Sequence, residues 1–100
     1  MSEEHSEIEA KPERLHAFVS GKVQGVSFRY YTLQEGRQLG LTGFVRNLPD
    51  GRVEVKAEGP RDILDALVQF LHRGSPGASV RNVDVQWSEA DNSFIAFDIR

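Results

Sequence analysis

Residues 21–29, Gly-Lys-Val-Gln-Gly-Val-Ser-Phe-Arg, set two glycines and an arginine where an extended run gives way to a helical one. A glycine-containing bend at a helix start presents several backbone N–H groups to one point, and the positive end of the helix adds to them. The chemistry such a bend serves is anion binding. Gly25 lets the backbone approach a ligand where a Cβ would stand in the way. Phe28 is an apolar anchor for the start of the helix, and Arg29 supplies a planar guanidinium able to fork onto phosphate oxygens. A cation at a helix start opposes the helix dipole, which favours an anionic ligand there. The same string also satisfies a plain glycine-rich strand-to-helix turn, and residue types alone do not separate the two. It lacks the Lys-Ser or Lys-Thr pair of a nucleotide P-loop and does not match G-x-G-x-x-G.

The elements around the bend must hold it. In "RLHAFVSGK", Leu15, Ala17 and Val19 alternate with His16, Phe18 and Ser20, as in a strand with one buried face. From Phe28 to Leu39 the spacing of Phe28, Tyr31, Thr32, Glu35 and Leu39 predicts a helix that stops at Gly40. Gly36 weakens that helix by roughly 1 kcal/mol relative to alanine, which makes sense if the helix backbone passes close over the sheet. "LTGFVRN" and "GRVEVKAE" flank Leu48-Pro49-Asp50 and read as a β-hairpin. Gly59-Pro60 opens a second helix, whose Ile63, Leu67, Phe70 and Leu71 share one apolar face. "VRNVDVQW" predicts a fourth strand, and "SFIAFDIR" a last one that pairs with or extends the fourth. Trp87, Phe94 and Phe97 are expected in the core. The order βαββαβ predicts an α+β, ferredoxin-like two-layer sandwich: an antiparallel sheet with two helices on one face. That fold hosts many functions and assigns none.

The 100-residue length suits one domain, and 27% charged with 39% hydrophobic residues is ordinary for a soluble chain. With no cysteine there is no disulfide, thiolate metal site or cysteine nucleophile. No apolar run approaches the roughly 20 residues that span a bilayer, and nothing resembles a signal peptide, so a cytoplasmic protein away from membranes is expected. The net charge of −3 is unevenly spread. Residues 1–13 carry five glutamates against Lys11, a net −4, and are expected to form a disordered acidic tail. Residues 14–100, the expected folded domain, hold 11 Lys and Arg against 10 Asp and Glu, a net +1, so no nucleic-acid footprint is expected. His5, His16 and His72 lack metal-ligand spacing and are expected at solvent or a helix end.

The string "GKVQGVSFR" resembles the signature of the acylphosphatase family, and "GLTGFVRNLPDGRVEVKAEG" resembles that family's second signature. The likeness runs from about Leu15 to Ile99. It implies hydrolysis of the carboxyl-phosphate bond of acyl phosphates to carboxylate and inorganic phosphate, without metal or cofactor. It also implies that the backbone of Gln24, Gly25, Val26, Ser27, Phe28 and Arg29 wraps the phosphoryl oxygens, where inorganic phosphate or sulfate could also sit. Arg29 would clamp the phosphate and Asn47 would hold the attacking water. On spacing alone, the reading of Asn47 as a local turn residue is the favoured one.

The chemistry agrees with that assignment. Phosphoryl transfer rests on positioning and on stabilising oxygen charge, and a carboxylate leaves without a strong general acid. A neutral asparagine orients water through its carbonyl and amide. Ser27 is expected to be incidental, and Arg46 to point to solvent from the opposite sheet face. A free-standing enzyme is expected because no further domain follows Arg100, and a monomer is expected. The alternatives are a non-catalytic ferredoxin-like module that binds RNA or protein, and a domain serving a larger maturation enzyme. An RNA reader would need exposed aromatics on the central strands, where Phe18 and Phe44 are the candidates, within a basic surface.

Overall fold

The computed structural model describes residues 11–100, so His5 and most of the acidic leader lie outside the described residues. The chain runs β1 (Glu13–Lys22), α1 (Phe28–Gln38), β2 (Thr42–Asn47), β3 (Val53–Gly59), α2 (Arg61–Arg73), β4 (Ser79–Glu89) and β5 (Phe97–Ile99). The strands form one sheet in the order β4-β1-β3-β2-β5. Both helices lie on one face, α1 over β2 and β5 and α2 over β4, β3 and β1. This is the ferredoxin-like sandwich that the pattern predicts.

Strand alternation explains the core. Leu15, Ala17 and Val19 of β1 pair with Ala57, Val55 and Val53 of β3, and all six are fully buried. Val45 of β2 joins them opposite Val55. The helices close the layer with Phe28 and Thr32 from α1 and Leu64, Leu67, Phe70 and Leu71 from α2. In the β2–β3 turn, Asp50 Oδ1 accepts from the Arg52 N–H at 3.1 Å, the local capping that the hairpin sequence predicts.

The last strand departs from expectation. β5 neither pairs with nor extends β4. It crosses to the opposite edge of the sheet and pairs with β2 in parallel, so the five-stranded sheet is mixed and only its first four strands are antiparallel. The cause is tertiary. Glu58, buried on the open face, accepts the backbone N–H groups of Asp91 and Asn92 and pairs with Arg14, which turns the chain across that face. Phe97 then drops into the core beneath α1, where a Cβ on Gly36 would stand 2.8 Å from its ring. Gly36 is therefore the close approach that its place in the helix suggests.

One aromatic expectation needs correction. Phe94 is not core but lies on the open face against Phe44, with ring centroids 5.9 Å apart. Trp87, half-buried at the β4 edge beneath the Arg61 guanidinium, packs against the core as expected. His72 is exposed at the end of α2, but His16 is half-buried and paired with Glu54 at 2.6 Å.

Candidate active site

The bend between β1 and α1 is built from two left-handed residues. Gly25 has φ 78° and Ser27 has φ 60°. Left-handed residues flanking Val26 turn successive N–H groups toward one concavity. A Cβ on Gly25 would meet nothing within 4 Å, so its backbone faces open space that a ligand can enter. Ser27 is costly in this conformation, since a side chain disfavours it by roughly 1–3 kcal/mol. Its hydroxyl makes no capping bond, in keeping with an incidental side chain.

Three anchors hold the bend rigid. Phe28 is 1% exposed and packs on Phe70. The Ser75 hydroxyl donates to the Val26 carbonyl at 2.8 Å, tying the bend to the end of α2. The Gln24 side-chain amide donates to the carbonyls of Leu48 and Arg52, each at 2.9 Å. Those two residues bracket the hairpin turn just beyond Asn47, so Gln24 fixes the bend to the end of β2. Its side chain serves the scaffold, and only its backbone is left for a ligand.

Nothing in the first turn of α1 neutralises the helix end. That turn contains no acidic residue, and the first backbone bond runs from the Tyr31 N–H to the Ser27 carbonyl at 3.1 Å. The N–H groups of Phe28, Arg29 and Tyr30 precede it and lack intrahelical acceptors. Arg14, Arg37, Arg46, Arg52 and Arg61 each pair with a carboxylate, whereas Arg29, like Arg73, Arg81 and Arg100, pairs with none among the described residues. Arg46 points away on the opposite sheet face, as expected, where it pairs with Glu54.

Asn47 ends β2 opposite Val53, on the helix-covered face that also carries Val45. Its Oδ1 is the one buried side-chain polar atom among the described residues without a hydrogen-bond partner. A buried acceptor left unpaired costs about 1–3 kcal/mol, so it marks a place for a donor such as water.

Gly25, Ser27, Phe28, Arg29 and Asn47 line one open cleft of about 420 Å³, together with Val23, Tyr30 and Ile99. The cleft thus gathers most of the predicted site, while Gln24 and Val26 do not line it. Sequence reasoning missed Val23, Tyr30 and Ile99, and it missed Ser75 as a strut. No group of three or more His, Asp or Glu side chains among the described residues is arranged to hold a metal. No described helix is long and apolar enough to cross a membrane.

Known proteins resemble this chain over most of its length. The acylphosphatase family model matches residues 15–99. An acylphosphatase of Trichormus variabilis is 55% identical over 78% of this chain and 77% of its own length. One of Anaeromyxobacter dehalogenans is 51% identical over 87% of this chain and 94% of its own. The crystal structure of acylphosphatase from Bacillus subtilis superposes with a TM-score of 0.85 at 38% identity, over 88% of this chain and 98% of that one. With the family model matched over residues 15–99 and relatives at this identity over most of its length, the chain belongs to the acylphosphatase family.

Proposed function

We propose that this acylphosphatase hydrolyses the carboxyl-phosphate anhydride of acyl phosphates in the cleft between the 24–29 bend and the end of β2. The phosphoryl oxygens accept from the N–H groups of the bend, and the Arg29 guanidinium clamps them. Water held by the Asn47 carboxamide attacks phosphorus. The bond from phosphorus to the bridging oxygen breaks, its electron pair leaves with the carboxylate, and the proton released by the water ends on the product phosphate. The carboxylate is weakly basic, so no acid on the protein need protonate it. Inorganic phosphate is then both product and site ligand, and the chemistry calls for no metal. The cysteine-free composition supports a cytoplasmic setting.

The observation that carries the reading is the pairing of Arg29, which faces no described carboxylate, with the unpartnered Oδ1 of Asn47 across one cleft. The test offers benzoyl phosphate and a phosphomonoester side by side in the presence of EDTA. Cleavage of the anhydride alone is expected. Loss of that activity in chelator would contradict the metal-free chemistry, and cleavage of neither compound would contradict the hydrolytic reading.

A further inference from the structure

The phosphate machinery accounts for only part of the cleft. A volume of about 420 Å³ lies in the range that takes a whole small organic ligand, beyond what one phosphoryl group needs. Its apolar lining falls into two classes. Val23 and Phe28 are each 1% exposed and can offer a ligand little area, whereas Tyr30 is 53% and Ile99 40% exposed. Large apolar side chains exposed to this degree are few among the described residues, and two of them meet at this cleft.

Direction follows from the chemistry. Attack at phosphorus needs the incoming water and the departing carboxylate on opposite sides, and Asn47 Oδ1 is buried. The acyl group therefore points from that buried oxygen toward the open mouth, where Tyr30 and Ile99 stand. The Tyr30 ring is already held in place. Its hydroxyl accepts from the Gln34 side-chain amide at 2.9 Å, and its ring packs edge-on to Tyr31 with centroids 5.8 Å apart. Arg29 is the only charged residue on the lining among the described residues, which offer no second cation there for an anionic acyl chain once it holds phosphate.

We infer that Tyr30 and Ile99 form an acyl subsite that selects acyl phosphates whose acyl group is uncharged and apolar. The inference rests on the hydrolytic reading above. Benzoyl phosphate and acetyl phosphate share the reacting bond and differ in apolar area, and they are compared in the full chain as wild type, Ile99→Ser and Tyr30→Ser. Wild type should favour benzoyl phosphate about tenfold in kcat/KM, and each substitution should lower that preference about threefold or more. A preference untouched by both substitutions overturns the subsite. Benzoylphosphonate and acetylphosphonate test it without any substitution, because their carbon–phosphorus bond is not open to this hydrolysis. The aromatic compound should inhibit wild type about tenfold more tightly, and equal inhibition likewise overturns the subsite. Hydrolysis of neither anhydride by wild type would instead remove the hydrolytic reading on which the subsite depends.

Discussion

Arg29 stands in the first turn of α1, where the helix dipole already places partial positive charge. Its guanidinium has no described carboxylate to offset that repulsion, so an anion in the cleft stabilises both the residue and the helix end. Arg29→Ala should therefore lower kcat/KM for benzoyl phosphate by about 10³-fold or more and raise the inhibition constant of inorganic phosphate. In the proposed mechanism Asn47 acts on the water and not on the phosphate, so Asn47→Ala should lower kcat about 10²–10³-fold with phosphate inhibition close to wild type. Steady-state kinetics with phosphate as inhibitor separates the two, and wild-type turnover in the asparagine variant would remove its role. The anion-binding potential of Gly25, Phe28 and Arg29 was legible because it depends on local order along the chain. Asn47 was legible only through the family likeness, since an asparagine before a turn is ordinary by itself. The roles of Gln24 and Ser75 depend on partners 24 to 49 residues away, and those of Tyr30 and Ile99 on a cleft wall, so no local pattern encodes them.

At the scale of elements, α1 and β5 are coupled through one contact. The Gly36 backbone rests on the Phe97 ring, and a Cβ there would lie 2.8–2.9 Å from three ring atoms. Alanine favours a helix over glycine by about 1 kcal/mol, but overpacking a buried site costs about 1–3 kcal/mol. The ring is 1% exposed and packed in the core, so the steric term should win. Gly36→Ala should destabilise by about 1 kcal/mol in urea unfolding, and a gain in stability would show that Phe97 can swing aside. This glycine was legible as a close approach, though not what it approaches. The same holds for the fold. Periodicity located both helices and the first four strands, because each buries a face with its own repeat. It did not place β5, a three-residue strand. Its course is set by Glu58 and Arg14 gripping the preceding turn and by Phe97 filling the space beneath α1, and neither leaves a periodic trace.

At the scale of the whole molecule, the open face of the sheet is closed by its own side chains. Phe44 is 7% exposed, beneath Phe94 and the Arg100 guanidinium, and Arg52 lies 4.7 Å above the Phe18 ring. The two aromatics that an RNA reader would use as stacking platforms are thus covered. Beside them, Glu54 is 6% exposed and accepts from Arg46 at 2.5 Å and from His16 at 2.6 Å. Burial would raise the pKa of this carboxyl, but the hydrogen bonds from His16 and Arg46 outweigh it and hold the group below its ordinary value of 4.5. The unfolded chain, with the ordinary value, then takes up the proton first as pH falls. The stabilisation is full above that ordinary value and fades as pH drops through the depressed folded one. In thermal unfolding, Glu54→Gln should be less stable than wild type near neutral pH, where the uncharged amide loses the charge-assisted bonds. As pH falls from 4.5 through the depressed folded value the two melting curves should converge, because acid neutralises the wild-type carboxylate and leaves the variant's amide unchanged. A gap that stayed constant from neutral pH into acid would mean that Glu54 stabilises the open face by packing and not by charge.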